Sequence, residues 1–145
     1  MIALMQRVSH AAVEVDGQLI AQIEQGILVL VGMERNDQQV QADKLLHKLL
    51  NYRIFADSDD KMNLSVQDIQ GGLLLVPQFT LAANTKKGLR PSFSSAKSPA
   101  EAEVLFHYLL KQAQNLYSDV AAGQFGADMK VSLVNDGPVT FSLTI

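Results

Sequence analysis

Eight consecutive residues, Gly26 to Met33 (GILVLVGM), carry no polar side chain. The run is far too short to span a bilayer. A strand with one face in water alternates apolar and polar residues, so a continuous run indicates a strand covered on both faces. Leu73 to Val76 is a second stretch of this kind and runs into Pro77-Gln78-Phe79-Thr80-Leu81. Buried strands need structure above and below them, which points to a layered α/β architecture.

The remaining elements are legible around these two strands. Ile2 to Val8 reads as a first strand. Ala12 to Ile23 reads as a hairpin, because Asp16-Gly17 between alternating apolar residues supplies two positions that accept positive φ. Asn36 or Asp37 can cap a helix whose apolar positions Ala42, Leu45, Leu46, Leu49 and Leu50 recur at helical spacing. Tyr52 to Phe55 is expected as a short strand and Asp57 to Asn63 as a polar turn. Ser98-Pro99-Ala100-Glu101 has the pattern of a capping box with proline at the first helical position. Its buried stripe would be Ala102, Leu105, Phe106, Leu109, Leu110 and Ala113. Met129 to Val134 and Val139 to Leu143 complete the set as two strands. The expectation is a layered single domain over residues 1–145, with a mixed sheet or two packed sheets and two main helices.

Composition narrows the chemistry. With 145 residues and no cysteine, the chain can bury a core without disulfides, and thiolate nucleophiles and cysteine-ligated metals are excluded. The first residues lack the pattern of a secretory signal, so a cytoplasmic location is expected. No GxSxG elbow, phosphate-cradling glycine loop, HExxH or dinucleotide fingerprint is present. His10, His47 and His107 have no carboxylate or nucleophile at a telling spacing. Asp57, Asp59 and Asp60 do not make a calcium loop, because Lys61 takes the fifth position and no glutamate closes the twelfth. These residues call for no metal and no cofactor.

Charge is unevenly spread. Between Ala82 and Ala100 lie Lys86, Lys87, Arg90 and Lys97 and no acidic residue; taking these four charges from the net −3 leaves −7 on the remainder. A basic loop on an acidic body suits a few phosphate contacts, and its length marks it as a candidate functional segment. A solvated loop kept soluble by its lysines is the plainer explanation. Gln78-Phe79-Thr80 ends a buried strand, where α/β sheets often bind ligands, although Phe79 and Leu81 by themselves read as core. No general base for Thr80 is visible. Gly137-Pro138, set between two apolar stretches, reads locally as a turn with proline opening the last strand.

Taken together and in order, QRVS (Gln6 to Ser9), VDG in the hairpin, KMNLS (Lys61 to Ser65), QFTL (Gln78 to Leu81), KKGLRPSFS (Lys86 to Ser94) and FGADMKVSLVNDGPVTF (Phe125 to Phe141) closely resemble the D-aminoacyl-tRNA deacylases. The resemblance covers essentially the whole chain. It implies a homodimeric hydrolase that cleaves the ester of D-aminoacyl-tRNA, removes mischarged glycine, and so proofreads chirality. It implies that Gln78, Phe79 and Thr80 line the active site. Gly137 and Pro138 would form a cis peptide that enters the partner subunit's pocket, with Arg7 holding that segment and Phe125 and Met129 as pocket walls. Lys86, Lys87 and Arg90 would contact tRNA. Attack by Thr80 and attack by water assisted by the terminal 2′-hydroxyl are both open, with the second favoured. Pro77 departs from the family, which usually has serine there. From other classes, a non-catalytic RNA-binding module and a structural dimer would also use the loop or the Gly-Pro segment.

Overall fold

The computed structural model describes residues 1–86 and 88–145; Lys87 lies outside the described residues. The chain runs through β1 (Ile2–Val15), β2 (Gln18–Ile23), β3 (Gly26–Gly32), α1 (Gln39–Asn51), β4 (Phe55–Ala56), β5 (Met62–Leu64), β6 (Gly72–Pro77), a 3₁₀ turn (Phe79–Ala82), α2 (Pro99–Leu116), β7 (Val120–Ala122) and β8 (Met129–Thr144). The expected α/β class holds. The main sheet has the order β2-β1-β3-β6-β7, with β8 on the other side of β1. It is mixed, because β3, β6 and β7 are parallel and the pairs involving β1 are antiparallel.

Two parallel connections set the layers. The paths from β3 to β6 and from β6 to β7 pass through α1 and α2, and successive crossovers of one hand across a sheet in one direction put both helices on the same face. There Ala42, Leu45, Leu46, Leu49 and Leu50 of α1 and Ala102, Leu105, Phe106, Leu109 and Ala113 of α2 pack on Ile27, Val29 and Val31 of β3 and Leu73 and Leu75 of β6. The alternate residues Leu28, Leu74 and Val76 enter a second core with Val8, Ala11, Val13, Ala21 and Ile23. The sheet therefore curls over itself, and its own outer strands cover the face the helices leave open. This is how the apolar run at Gly26 is buried on both sides.

Several local expectations are corrected. The first strand and the first arm of the hairpin are one strand, β1, and Asp16 (φ 51°) and Gly17 (φ 76°) form the expected turn into β2. Asp37 does not cap α1. It accepts from the Met1 amino group at 2.8 Å and from the Glu34 N–H, leaving Gln38 as the capping position, where the Gln41 side chain accepts the Gln38 N–H. Ser98 begins α2 as expected, but its hydroxyl donates to the Glu101 carboxylate rather than completing a backbone capping box. Leu110 is half-buried. The strand expected at Tyr52 to Phe55 is only Phe55–Ala56, paired with β5. The polar turn between them is organised by Asp57, which accepts from the Asp59 and Lys61 N–H groups and from the Asn63 side chain. These bonds, that from Asn63 foremost, hold the Asp57 carboxyl below its usual value.

The largest correction concerns β8. The chain does not reverse at Gly137-Pro138: residues 129–144 form one strand that lies antiparallel along β1 from end to end. Between Gln6↔Thr140 and Val8↔Asn135 the pairing advances two residues on β1 and five on β8. The three surplus residues of β8 form a bulge that holds Gly137-Pro138.

Pro77 ends β6 without disturbing the ladder. Leu73 N–H donates toward β7, to Asp119 O at 2.9 Å, and Gln78 N–H donates toward β3, to Val31 O at 2.8 Å. Donors alternate sides along a strand, so the N–H that Pro77 lacks would point to the β7 side. There β7 has already ended: Gly123 N–H makes the last bond, to Leu75 O. Pro77→Ser is therefore expected to change stability by less than about 1 kcal/mol and to leave activity close to wild type, as measured by denaturant unfolding and by turnover.

Candidate active site

Gln78 to Leu81 follow directly from the end of β6. Gln78 is pinned to β3 through its N–H, and the chain then tightens into the 3₁₀ turn. The Leu81 side chain packs over Gly32, where an added Cβ would come within 2.8 Å of Leu81 Cβ. The turn thus sits against the end of β3. Phe79 is not core: it is 59% exposed, and its ring lies 5.1 Å from that of Phe93. Thr80 is exposed, and its Oγ1 accepts from Gln78 Nε2 at 2.5 Å. Among the described residues no histidine or carboxylate hydrogen-bonds Thr80. His10, His47 and His107 are all exposed, the latter two on the helices. The Phe79 and Thr80 N–H groups stand at the head of the 3₁₀ turn, where donors have no partner within the turn.

The loop after the turn folds back over this end of the sheet. Asn84 and Ser92 exchange backbone hydrogen bonds, Ser95 Oγ donates to Ala82 O, and Arg35 N–H donates to Ser95 O. These contacts bring Phe93 onto Phe79. Lys86 and Arg90 are exposed on the same loop. Phe93 was not among the candidate residues from sequence; the available signal was an aromatic side chain within a serine-rich basic segment.

Arg7, Gly137 and Pro138 come together at the bulge in β8. Arg7 Nε donates to Asp136 O at 3.0 Å and lies 3.3 Å from Asp136 Oδ2, while Nη1 donates to Ile54 O at 2.7 Å. The guanidinium is largely buried, so its charge and fork geometry are spent on fixing the bulge against the segment after α1. The Gly137–Pro138 bond is cis, and Gly137 has φ +133°. A Cβ there would meet Val139 Cγ2 at 2.7 Å and Arg7 Nη2 at 3.1 Å, so only glycine fits. Both residues are exposed.

The two groups do not meet within one chain. Arg7 pairs with Ile27 and Ile27 with Leu73, five residues before Gln78; at about 3.3 Å per residue the groups stand roughly 16 Å apart along the strands. Met129 is half-buried near Pro77, because Gly123 leaves room between them: a Cβ on Gly123 would meet Met129 Sδ at 2.7 Å and Pro77 Cδ at 3.5 Å. Phe125 packs toward the helices, 6.3 Å from the Phe106 ring. Among the described residues no cluster of histidine and carboxylate side chains could hold a metal ion. Among the described residues no helix is long and apolar enough to cross a membrane.

Residues 4–144 match the family described as D-Tyr-tRNA(Tyr) deacylase, and the chain belongs to that family of ester-hydrolysing enzymes. It is 62% identical to the D-aminoacyl-tRNA deacylase of Pseudoalteromonas translucida (strain TAC 125) over 100% of both chains. It is 64% identical to that of Stutzerimonas stutzeri (strain A1501) over 99% of both. A solved structure of a c-Myc DNA unwinding element binding protein superposes with a TM-score of 0.96 at 39% identity, covering 100% of this chain and 99% of that one. A probable eukaryotic D-amino acid tRNA deacylase shares the fold, with a TM-score of 0.84 at 14% identity over 98% of both chains.

Proposed function

We propose that this chain hydrolyses the ester joining a D-amino acid to the 3′ end of tRNA, releasing free D-amino acid and tRNA, and so proofreads chirality in the cytoplasm. The observation that carries this reading is the end-to-end match to D-aminoacyl-tRNA deacylases at 62–64% identity, with no part of the chain left over.

Gln78, Phe79 and Thr80 are the reacting site in this reading, with the Phe79 and Thr80 N–H groups stabilising the oxyanion. Thr80 is held by an amide rather than by a base, which favours attack by water assisted by the neighbouring 2′-hydroxyl. An aminoacyl ester is already reactive, so positioning supplies much of what the reaction needs. Gly137 and Pro138 reject the L-isomer as a backbone wall. Because they stand away from Thr80 of their own chain, they act in the pocket of a second copy, which makes the enzyme a homodimer. Met129 and Phe125 shape the pocket walls. A backbone wall ignores which side chain the D-residue carries, and it cannot exclude glycine, so mischarged glycyl-tRNA is also cleaved. Lys86, Lys87 and Arg90 contact the tRNA phosphates.

Matched D- and L-aminoacyl-tRNA, followed by deacylation, test the reading. Loss of the D-ester with the L-ester spared is expected, and persistence of both esters would overturn it. Thr80→Ala is expected to retain activity within about tenfold of wild type, whereas a 2′-deoxy terminal ribose slows turnover by at least about two orders of magnitude. Abolished turnover in Thr80→Ala with the deoxy substrate unaffected would instead make Thr80 the nucleophile.

A further inference from the structure

The Gly137-Pro138 bulge is held at two points, and only the first, Arg7 on Asp136, precedes Gly137 in the chain. The second follows Pro138. Val139 lies between the register pairs Val8↔Asn135 and Gln6↔Thr140 that flank the bulge, and has no paired residue on β1. Its side chain is buried in the helix-side core, so an unpaired N–H at this point would be costly. Asn135 supplies the acceptor: its Oδ1 takes the Val139 N–H at 3.0 Å. Its Nδ2 donates to Thr140 Oγ1 at 2.8 Å, and Gln6 Nε2 donates to the same oxygen at 3.3 Å. One half-buried amide therefore closes the base of the bulge and ties it to β1 through Thr140.

We infer that Asn135 is a positioning residue that fixes how far and in which direction Gly137-Pro138 projects, with Thr140 and Gln6 as its anchor on β1. The inference rests on the proposed role of Gly137-Pro138 in selecting the D-isomer. The chemistry explains the residue type. The site needs an acceptor and a donor on one short, planar side chain; aspartate keeps only the acceptor, and alanine keeps neither.

The test combines amide hydrogen exchange with steady-state deacylation of matched D- and L-aminoacyl-tRNA. In Asn135→Ala the Val139 amide is expected to exchange at least tenfold faster while the Val29 amide in the central strand is unchanged. The ratio of D- to L-ester kcat/KM falls at least tenfold. Asn135→Asp keeps the protection at Val139 and recovers part of the ratio. Wild-type protection at Val139 in Asn135→Ala, or lost protection with a wild-type D-to-L ratio, overturns the inference. Should Asn135→Ala fail to fold, Thr140→Val carries the same test: a lowered ratio with intact Val29 protection supports the anchor, and an unchanged ratio overturns it. A wild-type chain inert toward D-aminoacyl-tRNA would overturn the deacylase reading instead, and Val139 exchange then decides the brace alone.

Discussion

One pair of strands, β1 and β8, must serve two hydrophobic cores. On β1, Ala3 and Met5 face the helices, whereas Val8, Ala11 and Val13 face the second core. On β8, Val139, Phe141 and Leu143 belong to the first core and Met129, Val131 and Leu133 pack on the second. Side chains alternate with a period of two, so odd-numbered residues can serve both cores only if an odd number of extra residues intervenes. β1 inserts one at Ser9, where two steps on β1 oppose one on β8; β8 inserts three, where five steps oppose two. The Gly137-Pro138 protrusion is thus the point at which β8 changes which core its odd-numbered residues face. Straightening it with every residue kept would turn half of β8 inside out.

That origin accounts for the quality of the protrusion as a rigid surface. A bulge flanked by long paired strands has both ends fixed. Here the two ends are also tied by side chains, Arg7 on Asp136 and Asn135 on Val139. Arg7 reaches on to Ile54 O, just beyond α1, and Tyr52 packs edge-on against Phe141 at 5.4 Å. The helix layer therefore helps to orient a feature on the opposite part of the sheet. The hydroxyl turn at Thr80 is positioned by different means, through Gln78 on β3 and Leu81 over Gly32. In the proposed function the two rigid features form one site only when a second copy brings them together.

Much of this was legible in the sequence, and the gaps have physical causes. The Asp16-Gly17 turn, the five buried positions of α1 and the strands at Gly26 and Leu73 follow from local chemistry, and they appear where that chemistry puts them. Residues 2–15 read as two pieces because the parity break at Ser9 interrupts the alternation that marks one strand. Gly137-Pro138 reads as a turn for a related reason: glycine and proline signal an interrupted strand, and only the pairing partner distinguishes reversal from a bulge. Phe79 reads as core because a phenylalanine after a buried strand usually is; the 3₁₀ turn that rotates it outward has no strong sequence mark. Arg7, Gly137 and Thr80 were carried by family resemblance, whereas the roles of Asn135 and Phe93 depend on contacts across the fold.

The central claim is that one copy's bulge completes the other copy's site, and mixed subunits test it most directly. Gly137→Val disables the bulge, since valine does not reach φ +133° and its Cβ would crowd Arg7. Thr80→Pro removes an N–H from the reacting turn. Each variant alone is expected to lose selective D-aminoacyl-tRNA hydrolysis, and co-refolding the two restores it in the mixed dimer, where one intact turn meets one intact bulge. Two inactive variants that remain inactive after verified mixing would contradict a site shared across subunits.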